Sequence, residues 1–567
     1  MIKKPLITGS ALEVFFRLVI NKLYVARIFI AMIDRIKNLI TNYRGTKTFE
    51  WKTEASIFQF IVSNLNAEGK LKGSANDLPD EKPQDENGLR YAPGAFDSLF
   101  GAEDSDKSKS EVDELVKLIK KISENADKES EAKFYELITS TEHVIGVIDA
   151  FLDRAVNLRL SIDPYLVNFS KDLAFKTGHR NSVKFGIAMI GICQEKSVID
   201  DIKLIGLHDE FTLFSVVSIL NLSDNKVNDL WELAKKVDGW GKIHIVERLA
   251  KMELTNDIKD WLIIDGYKNS IMYEYLTYTC AVNGELHSHL GKAVISKKLF
   301  KASADIIEAL IAGGPADDIS IYSYASITIE NFVRHSKKHA DEISAFIVLN
   351  HIKDFLIELQ TDISLHKENG WTEDIISNCL IDIVEIINSK DWSVLALIAL
   401  KSSDNVDYWN GKQAAKMLNI DIWDVLWQRL QNNPSESSMW YDVVNGAKPS
   451  QADQVIEFAL AAIPLKELAS GPCDSSGLGP QFLRYWSLDY MTTFLENYPK
   501  KGEAIILAAL DSPVTRNRNM AFKVLHKWGN DNWSNEIHSK LLNLKSNEPN
   551  KKSKENVNRL LEGRDLI

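Results

Sequence analysis

The chain has 567 residues, of which 45% are hydrophobic and 26% charged, and a formal net charge of −12. That length exceeds one ordinary core, so the chain must divide into domains or grow as a solenoid, and the composition excludes disorder of the whole. The acidic average argues against nucleic acid as the main partner, because phosphate binding requires a basic face.

Residues 1–48 read as a basic N-terminal helix or extension. From Leu12 to Ile40 apolar residues are interrupted by Arg17, Lys22, Arg27, Asp34, Arg35 and Lys37. No uncharged run there reaches the roughly 18 residues of a membrane span, and no small-residue cleavage site marks a secretory signal. Between Met1 and Lys52, ten Lys and Arg stand against Glu13, Asp34 and Glu50. Three readings stay open: an amphipathic helix making peripheral contact with an anionic membrane through residues 12–40, a cap over the end of a helical stack, or translation that begins at Met32 instead of Met1.

Residues 49–110 predict a helix followed by a loop region. In EWKTEASIFQFIVSNL (Glu50–Leu65), Ile57, Phe58, Ile61, Val62 and Leu65 recur at helical spacing, and Glu68-Gly69 supplies the turn that ends the run. Pro79, Pro83, Pro93 and the acidic pairs Asp80-Glu81 and Asp85-Glu86 forbid a long helix or central strand after it. Within this loop, LRYAPGAFDSLFG (Leu89–Gly101) makes a Pro93-Gly94 turn flanked by Tyr91, Phe96 and Phe100. Those rings are expected to be buried and to dock the loop, as an anchor for the N-terminal helix or as a ligand pocket.

FEWKTEASIFQFIVSNLN, then LPDE (Leu78–Glu81), then LRYAPGAFDSLFG resemble the N-terminal region of a bacterial helical family known as limonene hydroxylase. Looser similarity extends to WGKIHIVERL (Trp240–Leu249) and WLIIDGYKNSIMYEYL (Trp261–Leu276). The resemblance implies monooxygenation of a small apolar terpene, limonene, to carveol or perillyl alcohol, onward dehydrogenation of those alcohols, and NADH or NADPH as cofactor. It assigns no catalytic or cofactor-binding residue. From the residues alone no haem, flavin or metal motif is visible. FGIAMIGIC (Phe185–Cys193) has the wrong spacing for a haem-thiolate loop and reads as a buried helix. GLGPQF (Gly477–Phe482) and GWGKIH (Gly239–His244) lack the third glycine of a dinucleotide fingerprint and read as turns. No pair of Glu-x-x-His helices marks a di-iron bundle.

Residues 111–545 read as a body of HEAT-like helical hairpins with an apparent period of about 30 to 40 residues. Helix pairs are expected at Phe211–Leu222 with Lys226–Val237, Lys242–Met252 with Asp257–Ile264, and Trp371–Ile387 with Trp392–Leu400, separated by turns such as Asp224-Asn225, Asp238-Gly239 and Asp265-Gly266. ENFVRHSKKHADEI places His335, His339 and Glu342 on one helical face, a metal-like spacing inside a basic segment; His287 and His289 form a second cluster near a helix start. LDSPVTRNRNMAFKVLHKWG (Leu510–Gly529) resembles a HEAT-type helix, with Arg516 and Arg518 exposed and Met520, Ala521, Val524, Leu525 and Trp528 on one face. The thirteen tryptophans are mostly core. The stretch Asn432–Pro480 reads as irregular loops, either a partner-binding surface or a plain solvent loop joining two repeats, followed by Tyr485 and Trp486. Residues 546–567 read as a charged C-terminal tail or helix. Cys193, Cys280, Cys379 and Cys473 lack zinc or disulfide spacing and read as buried free thiols of a reducing cytoplasm.

The expected fold is therefore all-α, an α-solenoid of HEAT-like hairpins with an N-terminal helix and an irregular loop segment. Two functions stand side by side: the terpene-oxidising enzyme that the resemblance implies, and a non-catalytic scaffold that binds a protein partner on the solenoid face.

Overall fold

The computed structural model describes residues 55–81, 91–100, 106–142, 144–158, 160, 162–361 and 369–567. The stretch 1–48, and with it the membrane, cap and Met32 readings, lies outside the described residues. Among the described residues the fold is all-α. No strand forms, and β pairing is limited to two isolated bridges, Leu65 with Leu71 and Ser475 with Val514. No helix among them is long and apolar enough to cross a membrane.

The chain divides into two compact units, with the described residues up to Lys390 in the first and Asp391–Ile567 in the second. In the first unit the helices run α1 (Ile57–Ser63), α2 (Ala95–Phe100), α3 (Asp106–Asn125), α4 (Lys128–Ser140), α5 (Val144–Asn157), α6 (Pro164–Lys176), α7 (Arg180–Cys193), α8 (Ile199–Ile205), α9 (Asp209–Leu222), α10 (Lys226–Ala234) and α11 (Gly239–Leu249). They continue through α12 (Asn256–Trp261), α13 (Thr277–Asn283), α14 (Leu286–Leu290), α15 (Lys297–Ala312), α16 (Ala325–His339), α17 (Ile343–Thr361) and α18 (Glu373–Asn388). Side-chain caps start many of them. Asp127 accepts from Glu129 N–H ahead of α4, and Asp163 accepts from Leu166 N–H ahead of α6, whose first residue is Pro164. Every second helix then stacks, α7 on α9, α9 on α11, α15 on α17, and in the other layer α14 on α16 and α16 on α18. That alternation is the packing of an α-solenoid, in which each repeat hides its apolar face against the next.

The core of the first unit explains why α7 and α9 are apolar nearly all round. The rings of Phe134, Phe151, Phe169 and Phe185 meet at 5.7–6.0 Å on the interior side of α7. Gly186 lets the α6 backbone approach so closely that a Cβ there would sit 2.4 Å from Ala174 N. FGIAMIGIC is thus the buried helix its pattern suggests.

The second unit contains α19 (Trp392–Ala399), α20 (Asn405–Met417), α21 (Trp423–Asn432), α22 (Ser437–Gly446), α23 (Ala452–Ala462), α24 (Leu465–Leu468), α25 (Arg484–Phe494), α26 (Glu503–Leu510), α27 (Thr515–Trp528), α28 (Asn535–Asn547) and α29 (Lys551–Leu561). Trp423, Trp440 and Trp528 are core residues with their indole N–H groups satisfied: Trp423 donates to Val443 O, Trp440 to Pro434 O and Trp528 to Leu495 O. Trp409 and Trp486 are exposed.

Four expectations need correction, and one open choice is decided. The body over 111–545 is not one stack, and the pair Trp371–Ile387 with Trp392–Leu400 falls on either side of the division, since helical period does not report which neighbour a helix joins. Of the two readings of residues 546–567, the helix is found: Lys551–Leu561 is helical, and Val557 and Leu560 are buried in the second unit's core. Asn432–Pro480 is only partly irregular, because α22, α23 and α24 lie within it. Arg518 is fully buried, where Glu548 binds its guanidinium through two hydrogen bonds of 2.6 and 2.7 Å and the Ser512 and Pro513 carbonyls accept from it. Arg516 is exposed as expected and pairs with Asp489. All four cysteines are free thiols, but Cys473 is exposed.

Candidate functional site

LPDE and the Pro93-Gly94 motif converge on one face of α7. Arg180 and Lys184 are one helical turn apart, so both cations point the same way. The Arg180 backbone N–H donates to Asp80 at 2.8 Å, its guanidinium grips the same carboxylate at 3.1–3.2 Å, and Glu81 accepts from it as well. Lys184, only 2% exposed, donates to Asp97 on α2 and to Glu210 on α9, each at 2.6 Å. Glu210 closes the network by accepting from Gly94 N–H at 3.0 Å. LPDE and the Pro93-Gly94 motif are therefore tied to the helical body by buried charge-assisted hydrogen bonds.

The charges in this network are set by burial and by one another. Burial opposes the charge of Lys184, but Glu210 and Asp97 outweigh it and hold the ammonium pKa up. Burial also opposes the Glu210 charge, yet Lys184 and Arg180 pull its pKa down to about 2. Asp97 is raised, mainly by burial.

Gly94 is the residue this docking demands. Its φ is +73°, and a Cβ would lie 2.5 Å from the Asp209 carbonyl oxygen. Asp209 in turn receives the N–H groups of Trp240 and Gly241 at the start of α11, while burial first and then Asp238 raise its pKa to about 8. A Cβ on Gly241 would meet Thr212 Oγ1 at 2.5 Å and Asp209 Oδ1 at 2.6 Å. The glycines of GWGKIH thus serve close approach of helices α9 and α11. Ser98 Oγ donates to Gly94 O at 2.6 Å and lies 2.8 Å from His244 Nε2.

The outward side of the motif reverses ordinary patterning. Tyr91 is 46% exposed, Phe96 37% and Leu99 52%, with the Tyr91 and Phe96 rings edge to face at 6.0 Å. Asp97, between them in sequence, is the buried residue. The expected burial of Tyr91 and Phe96 is therefore corrected: the buried ion network orients α2 with its charge inward and its apolar residues outward. The Phe100 side chain lies outside the described residues.

The metal-like residues are distributed among separate tasks. His335 Nε2 lies 2.9 Å from the Leu290 carbonyl, His339 stacks on Phe300, and Glu342 pairs with Lys297 and Lys301. His287 stacks on Tyr324 at 3.7 Å, and His289 faces Asp260 at 3.3 Å. Among the described residues no group of three His, Cys, Asp or Glu side chains is placed to hold a metal ion. Gly477 and Gly479 of GLGPQF adopt positive φ ahead of a short 3-10 turn at Pro480–Phe482.

No family model, curated protein or solved structure matches this chain.

Lys184, Glu210, Asp97 and Asp209 were not singled out by motif reasoning. The available signal was a lone lysine inside the apolar run Val183–Ile190 and an aspartate at the centre of an aromatic motif.

Proposed function

We propose that the chain is a non-catalytic helical-repeat binding protein whose first unit holds a protein partner on the outward face of the Pro93-Gly94 motif. The observation that carries this reading is the inversion of α2, a buried Asp97 locked to Lys184 beneath exposed Tyr91, Phe96 and Leu99. A fold that sequesters a charge at the cost of desolvating it, while leaving Tyr91, Phe96 and Leu99 partly exposed, presents them on a rigid base. Covering three half-exposed side chains of this size contributes roughly 2 to 4 kcal/mol to an interface, enough to make them its anchors.

The test is the double variant Phe96→Ser/Leu99→Ser in the full chain, with thermal unfolding checked against the wild type. A partner isolated on immobilised wild-type protein is purified and titrated against both. Binding weakened by about thirtyfold or more in the variant is expected; equal binding overturns the reading. So does limonene-dependent oxidation of NADH or NADPH by the purified chain, with carveol or perillyl alcohol formed, which would establish the enzyme that the family resemblance implies.

A further inference from the structure

A second exposed surface of the first unit is built on elements that pack against the buried side of the motif. Gly94 lies against Trp240, whose ring meets Tyr275 at 5.1 Å. Tyr275 belongs to the turn Tyr273–Tyr275, where Tyr273 is 37% exposed and packs edge to face on Tyr267 at 5.3 Å. Next to this turn runs the loop at Gly314, close enough that a Cβ there would meet Glu274 Cβ at 2.9 Å. That loop leads into Tyr322 and Tyr324. Tyr322 lies 6.4 Å from Tyr278 and 6.1 Å from Tyr324, which is 45% exposed. Met272, Ile321 and Ile327 are also exposed along it.

Carboxylates lie among these rings. Asp305 accepts from Tyr267 at 2.7 Å, and Asp305 and Asp238 are both near enough to add to burial in raising the Tyr273 hydroxyl. Asp317 acts on Tyr278 in the same way. The nearby cations are engaged elsewhere: Lys242 donates to the Asp265 carbonyl at 2.8 Å, while Lys268 and Lys298 pair with the Asp265 carboxylate at 3.2 and 3.7 Å. Among the described residues no Lys or Arg comes within ion-pair distance of Asp238, Glu274, Asp305 or Asp317. The face thus offers ring quadrupoles together with carboxylates that have no direct ion-pair partner among the described residues, on a chain of net charge −12.

We infer that this tyrosine and carboxylate face docks a Lys/Arg-rich segment of the protein partner, beside the apolar anchors Phe96 and Leu99. The inference rests on the binding function proposed above and names the chemistry of its partner. Ammonium and guanidinium groups gain from aromatic faces and from carboxylates at once, and their long stems lie along the exposed rings of Tyr273 and Tyr324. Phosphate-bearing ligands are repelled by the same carboxylates.

The probes are two fluorescein-labelled, acetylated and amidated twelve-residue peptides, alternating Lys-Ala and alternating Arg-Ala, with a Glu-Ala peptide as control. Binding to the full chain is followed by anisotropy at physiological salt. The Lys and Arg peptides are expected to bind and the Glu peptide not to. Glu274→Lys/Asp317→Lys is expected to weaken binding by about tenfold or more, Tyr324→Ala by about three- to tenfold, and Tyr273→Phe, which keeps the ring, by less than about twofold. Glu358→Lys/Glu385→Lys changes the net charge equally on exposed positions of α17 and α18 and is expected to leave affinity within about twofold. An equal loss in that control, which assigns binding to net charge, overturns the inference, as does absence of peptide binding. If the peptides fail while Phe96→Ser/Leu99→Ser still abolishes binding of the purified partner, the basic-segment inference alone falls. If that double variant binds the partner normally, the binding function itself falls.

Discussion

Lys184→Met removes one buried ammonium while keeping the length and apolar stem of the side chain. Lys184 Nζ contacts Asp97 and Glu210 at 2.6 Å, and all three groups are largely withdrawn from water. After the substitution Glu210 keeps Gly94 N–H and Arg180 at 3.9 Å, whereas Asp97 loses Lys184, its one ion-pair partner among the described residues, and must stay desolvated, protonate or expel its helix. Breaking a buried pair by removing one partner costs about 3–5 kcal/mol. The two units need not unfold in one step, so the informative assay is native-state hydrogen exchange of the Gly94–Leu99 amides in the full chain, not a single melting curve. Exchange there should accelerate by about a hundredfold to a thousandfold at pH 8. The sign with pH follows from Asp97: its pKa already lies above the ordinary carboxylate value, and the missing cation raises it further. Protonation therefore relieves the variant as pH falls, so its deficit is largest at high pH and shrinks toward the ordinary aspartate range. Replacing the acids too, in Lys184→Met/Asp97→Leu/Glu210→Met, should restore much of the protection. Exchange within about threefold of wild type in Lys184→Met at pH 8 would refute the reasoning that this network holds the motif.

Gly94→Ala should loosen the same motif by about 1–3 kcal/mol, because it places a Cβ at positive φ 2.5 Å from Asp209 O, and amide exchange of α2 reads the effect. Asp209, with a folded pKa near 8 against an ordinary value of 3.8, binds a proton in the folded state that the unfolded chain releases between those values. Its contribution is complete below pH about 4 and lost as pH rises through 8. Asp209→Asn should therefore flatten the fall in melting temperature of the first unit between pH 5 and 9; an unchanged slope assigns it to other groups. In the second unit, Arg518→Met should cost about 3–5 kcal/mol by leaving Glu548 buried without its cation, and Trp fluorescence in urea follows the loss. Arg516→Met, two residues away and half exposed, should cost less than Arg518→Met, because Asp489 keeps its hydrogen bond from Asn517.

The contrast between those two arginines shows how much of this protein is legible along the chain. Helical period, capping residues and turn chemistry are local, so the all-α class, the buried run Phe185–Cys193, the stops near Asp224-Asn225 and Asp238-Gly239 and the core tryptophans of α21 and α27 follow from residues within one or two turns of each other. Period marks which face of a helix is apolar. It does not reveal which charge enters the interior, because that depends on a partner elsewhere: Glu548 lies 30 residues from Arg518, and Asp97 lies 87 residues from Lys184. The motif Leu89–Gly101 was visible as a turn with aromatic flanks, but which of its residues face inward was not. Only tertiary packing, by bringing Lys184 and Glu210 beneath α2, made it less costly to bury Asp97 with a cation than to bury Phe96 and Leu99, and so turned three apolar side chains out to the surface.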